Sequence, residues 1–460
     1  MGPLTFTNLT RAVEIGANSY ALDLAGKRVV LDSGMHPKHE GAEALPNMGL
    51  VAAGSVDAII LSHAHHDHIG SLPLLQRRQP QAPVFTTEAT RQLGDVMLHN
   101  SVNVMERRRE EGVPGYPLFT HGEVNVGLKK WRSVPLRTRF DLSGERLGGD
   151  DAPISVEFFD AGHILGAVGT LIRAHGRTIF YTGDVQFDDQ TVMQAARFPE
   201  EPVDVLIMET TRGDQETPEG FTRAAEERRL ADAIARVFED GGSVLIPTFA
   251  LGKTQEMLAL FHAFRQRGWI KGDCPIYIGG LGAKLTEIHD KLAGQTTRQN
   301  PKLHLMDATA PFVMSGEGAG LVPIKPHRIY ALSSGMMTEH TLSNTFARKV
   351  LSTPPHALLF IGYADPDSPA GKIRAAAPGD IVQLSSDIEP QALTCHVDRF
   401  NFSGHASRES LRAYANRVRP KKIILVHGDK GAIEWFRAAL SLDLPDTEIL
   451  TPEPGVTLEI

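Results

Sequence analysis

The sequence holds 460 residues, 42% of them apolar and 22% charged, with a formal net charge of −8. That length exceeds what one hydrophobic core usually supports, so two domains are expected, and the ordinary composition excludes a low-complexity or repeat protein. The acidic balance excludes a generally basic nucleic-acid-binding protein, and two distant cysteines, Cys274 and Cys395, exclude both a disulfide framework and a thiolate metal site.

No apolar run approaches the ~20 residues needed to cross a bilayer, and Met1 to Arg11 lacks a basic-then-apolar leader. The expected compartment is the cytoplasm, with no membrane partner. In chain order, alternation at Tyr20, Leu22 and Leu24, a Gly26-Lys27 turn and Val29 to Leu31 predict a hairpin ending at Asp32-Ser33-Gly34. Similar strands are expected at Val56 to Leu61, Ile154 to Phe159, Thr170 to Ile172 and Thr178 to Thr182.

After about residue 210 the pattern becomes alternating helix and buried strand. Helices are expected over Thr222 to Phe238, around Met257 to Phe264 and over Asn344 to Leu351, and strands at Ser243 to Ile246, Pro275 to Ile278, Arg328 to Leu332 and Ala357 to Ile361. Such alternation predicts a mainly parallel sheet with packed helices. From about residue 385 the His-bearing strand-and-loop pattern returns, with a helix over Arg408 to Val418 and a strand over Lys422 to Val426. The chemistry therefore sits on two outer segments, 1–208 and 386–460, with 209–385 inserted between them.

The densest chemical signal is Ser62-His63-Ala64-His65-His66-Asp67-His68, directly after a strand. Read as His-x-His-x-Asp-His, it lets His63 and His65 face one metal ion while Asp67 and His68 turn to a second. Imidazole and carboxylate without thiolate suit zinc, and manganese less well. The spacing gives His66 no role. His163, just past a strand in Ala161-Gly162-His163, offers a third imidazole to the first ion, and Asp184, at the next strand end, offers a carboxylate that can bridge both.

Asp32, the His63 to His68 cluster, His163 and Asp184 together resemble the first four motifs of the metallo-β-lactamase superfamily. Leu206 to Thr211, Phe402-Ser403-Gly404-His405 and Val426-His427-Gly428 resemble motifs A, B and C of its β-CASP branch. The resemblance spans nearly the whole chain and implies an αββα four-layer sandwich interrupted by an α/β β-CASP domain. It also implies a two-zinc phosphodiesterase. His427, at the position where RNA-processing members carry His, points to RNA and is implied as a ligand of the second ion. His405, held by Glu209, is implied as the general acid for the leaving 3′-oxygen after attack by a metal-activated hydroxide, and Asp32 as a brace for the histidine loop. Ser403 is an implied phosphate contact or, equally, a turn cap.

Pro247 to Lys253 and Ser333 to Met337 also resemble β-CASP turns, whereas Thr338-Glu339-His340 and Ala364-Asp365-Pro366-Asp367 depart from the family pattern in loops that face the substrate. Arg107-Arg108-Arg109 reads as a solvated helix face before Glu110-Glu111. The leading expectation is an endoribonuclease, with 5′-exonuclease action also open, that takes single-stranded RNA and works with a second copy or a processing-complex partner. Single-stranded DNA, a small phosphodiester or ester, and a non-catalytic scaffold stay open as alternatives.

Overall fold

In the computed structural model, described over residues 3–149, 152–316, 318–386 and 388–460, the chain divides into two compact units. The first contains residues up to Asp189, Met193–Thr217 and everything from His405 onward; the second contains Gln190–Val192 and Pro218–Gly404.

The first unit is built on two seven-stranded sheets. One runs in the order Thr457–Glu459, Leu4–Asn8, Tyr20–Leu24, Lys27–Leu31, Ala58–Ile60, Val84–Thr86, Trp131–Ser133. The other runs Glu448–Leu450, Lys422–Val426, Val205–Glu209, Arg177–Tyr181, Val168–Ala174, Ile154–Asp160, Arg139–Phe140. Leu22, Leu31, Ile60 and Phe85 from the first and Val156, Ile172, Ile207 and Ile424 from the second lie in a single apolar cluster, so the sheets bury their inner faces against each other. Helix Glu88–Glu110 packs on the first sheet at Trp131–Ser133, and helix Lys430–Asp443 on the second at Lys422–Val426. This is the αββα sandwich that the motifs implied.

Strand pairing positions the site. Arg177–Tyr181, Val205–Glu209 and Lys422–Val426 are parallel neighbours, with Tyr181 opposite Ile207 and Glu209 opposite Val426. Their C-terminal ends therefore lie side by side and deliver Asp184, Glu209 and His427 to one edge of the sheet.

The second unit carries a six-stranded, wholly parallel sheet in the order Phe312–Met314, Ile276–Gly279, Ile329–Leu332, Val244–Pro247, Ala357–Phe360, His396–Arg399. Its three central strands, Ile329–Leu332, Val244–Pro247 and Ala357–Phe360, are completely buried apolar runs, as a sheet covered by helices requires. The compact units change over later than the expected 208/209 and 385/386. Thr210 stays with the first unit because its amide donates to the His427 carbonyl and its hydroxyl to that of Val426. His396–Arg399 stays with the second because it pairs with Ala357–Phe360.

Candidate metal centre

The loop after Ala58–Ile60 turns at once into a one-turn helix, His66–Ile69, with His65 at its N-cap. This short turn separates the cluster into two groups that point in different directions. His63 Nε2 and His163 Nε2 each lie 3.1 Å from His65 Nδ1. Asp184 Oδ2 stands 3.5 Å from the first and 3.7 Å from the second. These four residues present donor atoms that all lie within 4.8 Å of one another, and Asp67, His68 and His427 form a second such group. In that group Asp67 Oδ2 is 3.7 Å from His68 Nε2 and 3.2 Å from His427 Nε2.

Asp184 connects the two groups. Its Oδ2 faces the first set, while Oδ1 lies 3.4 Å from His68 Nε2 and 3.2 Å from His427 Nδ1. Oδ1 is buried yet accepts no hydrogen bond. A buried carboxylate oxygen without a donor, amid imidazole nitrogens turned toward one another, is what a cation site requires, because lone pairs that cannot share protons can share an ion.

Backbone conformation brings the side chains there. Gly162, before His163, has φ +66°, and a Cβ on it would fall 2.5 Å from the Gln186 carbonyl oxygen. Gly183, before Asp184, has φ +54°, with Ser62 Cβ 2.8 Å from where its own Cβ would be. Two non-glycine residues at the site, Asp32 (φ 58°) and His427 (φ 51°), also occupy the left-handed region, a local strain that the surrounding packing must hold.

Asp32 is fully buried and anchors the histidine loop. Its Oδ1 accepts the Ser62 amide at 2.7 Å; its Oδ2 accepts the Ser62 hydroxyl at 2.7 Å and the Tyr181 hydroxyl at 2.7 Å, and meets His68 Nδ1 at 2.8 Å. His68 is thereby oriented with Nε2 toward Asp184 and Asp67. Burial alone would favour its neutral ring, but the carboxylates of Asp184, Asp67 and Asp32 outweigh that and raise its pKa well above the usual imidazole value. His63 behaves oppositely: burial, then the neighbouring His68, hold its pKa far down, which favours the neutral ring that binding a cation requires.

His405 follows the same logic on another edge. Its Nδ1 lies 3.1 and 3.2 Å from the two oxygens of the buried Glu209, which also accepts the Val185 amide at 2.7 Å. Its Nε2 then points to the metal side, 4.0 Å from Asp184 Oδ2. Burial opposes protonation, but Glu209 and Asp184 overcome it, and the pKa is raised.

All nine of these sequence-selected residues, Asp32, His63, His65, Asp67, His68, His163, Asp184, Glu209 and His427, together with His405, come together in the first unit. Ser403 lies in the second unit, one residue before its end at Gly404. His66 belongs to neither donor group and contacts the Ser101 hydroxyl at 3.3 Å. Arg108 pairs with Glu40 and Glu111 on the helix surface. Sequence reasoning missed Asn18, whose Nδ2 donates to the Asp67 carbonyl at 3.1 Å, and it missed Tyr181 and Arg212. Tyr181 precedes Asp184 by three positions at a strand end, but a lone tyrosine there carries no pattern that marks its hydroxyl as a partner of Asp32.

Three family models match the chain: a beta-lactamase superfamily domain over residues 27–237, a Beta-Casp domain over 254–373 and a Zn-dependent metallo-hydrolase RNA specificity domain over 391–452. Cleavage and polyadenylation specificity factor 73 of Drosophila melanogaster is 28% identical over 93% of this chain and 60% of its own length. The endoribonuclease ysh1 of Schizosaccharomyces pombe is 26% identical over 99% and 58%. The chain thus spans about three fifths of these two relatives, whereas it covers 92% of the probable RNase MJ4 of Methanocaldococcus jannaschii, at 26% identity over 91% of this chain. A crystal structure of a protein of unknown function from Enterococcus faecalis covers 100% of both chains with a TM-score of 0.57 and 16% identity, a likeness of fold alone.

Proposed function

Because the chain belongs to the β-CASP branch of the metallo-β-lactamase superfamily, we propose that it is a two-zinc endoribonuclease acting on single-stranded RNA in the cytoplasm. The observation that carries the reading is the pairing of two converging donor groups with a histidine, His405, fixed by Glu209 and aimed at them. A plain metal-storage or scaffold site has no need of that third part.

His63, His65 and His163 would hold one ion and Asp67, His68 and His427 the other, with Asp184 shared. Two zinc ions there would supply an acidified water and positive charge for the attacked phosphate. Asp32 keeps the His68 ring in the orientation that leaves Nε2 available, as second partners of ligating histidines do. Glu209 fixes His405 with Nδ1 toward itself, so the Nε2 proton faces the site and can pass to the leaving 3′-oxygen. RNA is favoured because a family model for RNA specificity matches residues 391–452 and the relatives named above are RNA-processing proteins. Cytoplasmic placement is supported by two buried free cysteines, as in a reducing compartment; among the described residues no helix is long and apolar enough to cross a membrane.

The test is cleavage of a 5′-labelled single-stranded RNA and its DNA counterpart, with and without chelator, beside His405→Ala and Asp67→Ala. Chelator-sensitive RNA cleavage that falls about 10²–10⁴-fold in His405→Ala is expected. Intact metal content with inert RNA would reject the reading. The net charge of −8 keeps a small phosphodiester as the second reading. A shallow salt dependence of binding would favour it, since a long phosphate chain gives a steep one.

A further inference from the structure

Arg212 stands three positions after Glu209, in the turn closed by the Gly213 amide donating to the Thr210 carbonyl at 2.9 Å. The residue is 9% exposed, and its Nε is buried with no hydrogen-bond partner. The fork's recorded contact is from one terminal nitrogen to the His405 carbonyl oxygen at 3.5 Å, the outer limit of a hydrogen bond. No carboxylate among the described residues pairs with it: Glu409, Glu209 and Asp188 act on it only at longer range.

This arrangement is costly. A buried donor without an acceptor loses about 1–3 kcal/mol, and a buried charge without a partner loses more. Elsewhere in the same unit arginines are paired: Arg412 with Asp443 at 2.5 Å, Arg173 with Glu157 at 3.0 Å and Arg28 with Asp23 at 2.8 Å. Arg212, buried and without such a carboxylate, sits against the backbone of His405, the residue proposed to protonate the leaving group. A planar guanidinium whose Nε has no acceptor, next to the proposed phosphodiester-cleaving centre, suits a phosphate, which such a fork binds through two parallel N–H bonds.

We propose that Arg212 binds a backbone phosphate of the substrate, the one next to the scissile phosphate on the leaving-group side. The side follows from position, since His405 serves the leaving 3′-oxygen and Arg212 lies against His405. The inference rests on the RNA reading given above. Arg212 is then the anchor that fixes the register of the strand at the cut, and a fragment ending at the leaving nucleotide with no phosphate beyond it is a poor substrate.

The experiment replaces single phosphates around the cut with neutral methylphosphonates and measures kcat/KM for the wild type, Arg212→Gln and Arg212→Lys, with melting temperature and bound metal recorded for each. In the wild type, the phosphate next to the cut on the leaving-group side is expected to matter by at least about tenfold, which is 1.4 kcal/mol. Arg212→Gln should be slower on ordinary RNA and indifferent to that replacement, with unchanged metal content. Arg212→Lys should fall between, keeping the charge and losing the fork. Equal sensitivity of wild type and Arg212→Gln at that phosphate would overturn the proposal. If the variants do not fold, a flat methylphosphonate profile in the wild type alone would do so. A wild type that neither binds nor cleaves RNA would instead strike the RNA reading, and this one with it.

Discussion

The Asp32 carboxylate and the His68 imidazole meet at 2.8 Å, Oδ2 to Nδ1, with both side chains fully buried. The same oxygen also accepts from Ser62 and Tyr181, so an amide at this position would turn an NH2 group or a weaker acceptor toward groups that now donate. Asp32→Asn is expected to weaken metal binding by about 10–100-fold without removing a ligand. Competition against a chromophoric chelator measures it. Unchanged affinity would mean that Asp32 only closes a turn.

Glu209 is expected to act through His405 alone. Glu209→Gln keeps the shape and an acceptor for the Val185 amide but removes the charge that supports protonated His405. The fall should appear in kcat, on the order of 10²-fold, with KM and bound metal near the wild-type values. A loss of metal from this variant would place Glu209 among the ligands, a role open to it because its carboxylate also lies within reach of Asp184 and His427.

Asp160 ends the strand before His163, and burial pushes its carboxyl pKa up to about 7, against the opposing Gly162 amide and Arg197. With the folded value raised above the unfolded 3.8, its favourable contribution is complete below about pH 4 and disappears as pH rises through 7. The full effect is at most about 4 kcal/mol, roughly three units at 1.36 kcal/mol each. Asp160→Asn stays neutral and can still accept from Gly162 at 2.8 Å. Denaturant melts between pH 4 and 8 should show the variant gaining on the wild type as pH rises. Parallel curves would refute the assignment.

Much of this was readable in the sequence because each proposed ligand sits at a strand end with a turn signal beside it. The helix expected over Arg408 to Val418 and the strand over Lys422 to Val426 coincide with the observed ones, and the other strands that were expected agree within a residue or two. Three kinds of feature were not readable. Asn18 and Tyr181 act through long-range hydrogen bonds, and a lone Asn or Tyr carries no spacing to mark it. The strand His396–Arg399 is polar and lies at a sheet edge, so its exposed residues lack the alternation that betrays a strand and the domain boundary moved with it. Arg212 is informative only through what it fails to touch, which no sequence pattern encodes.

Metal removal should leave the fold standing. The carboxylates of Asp184, Asp67 and Asp32 would repel one another in an empty site if nothing replaced the cations, yet against the cost of burial they raise the His68 pKa well above the usual imidazole value, and Glu209 with Asp184 raises that of His405, so imidazolium charge substitutes in part for the ions. The two sheets bury their core independently of the loops. The chelated protein is therefore expected to keep its far-UV circular dichroism and a cooperative melt, at a lower melting temperature. Adding zinc back should raise that temperature in step with its free concentration, since a ligand that binds only the folded state stabilises by RT ln(1 + [L]/Kd). The gain should shrink toward pH 5, where protons compete with the ions for the imidazoles. A chelated protein that loses its secondary structure would show instead that the ions hold the sandwich together, and the ion-pair substitution argued here would be wrong.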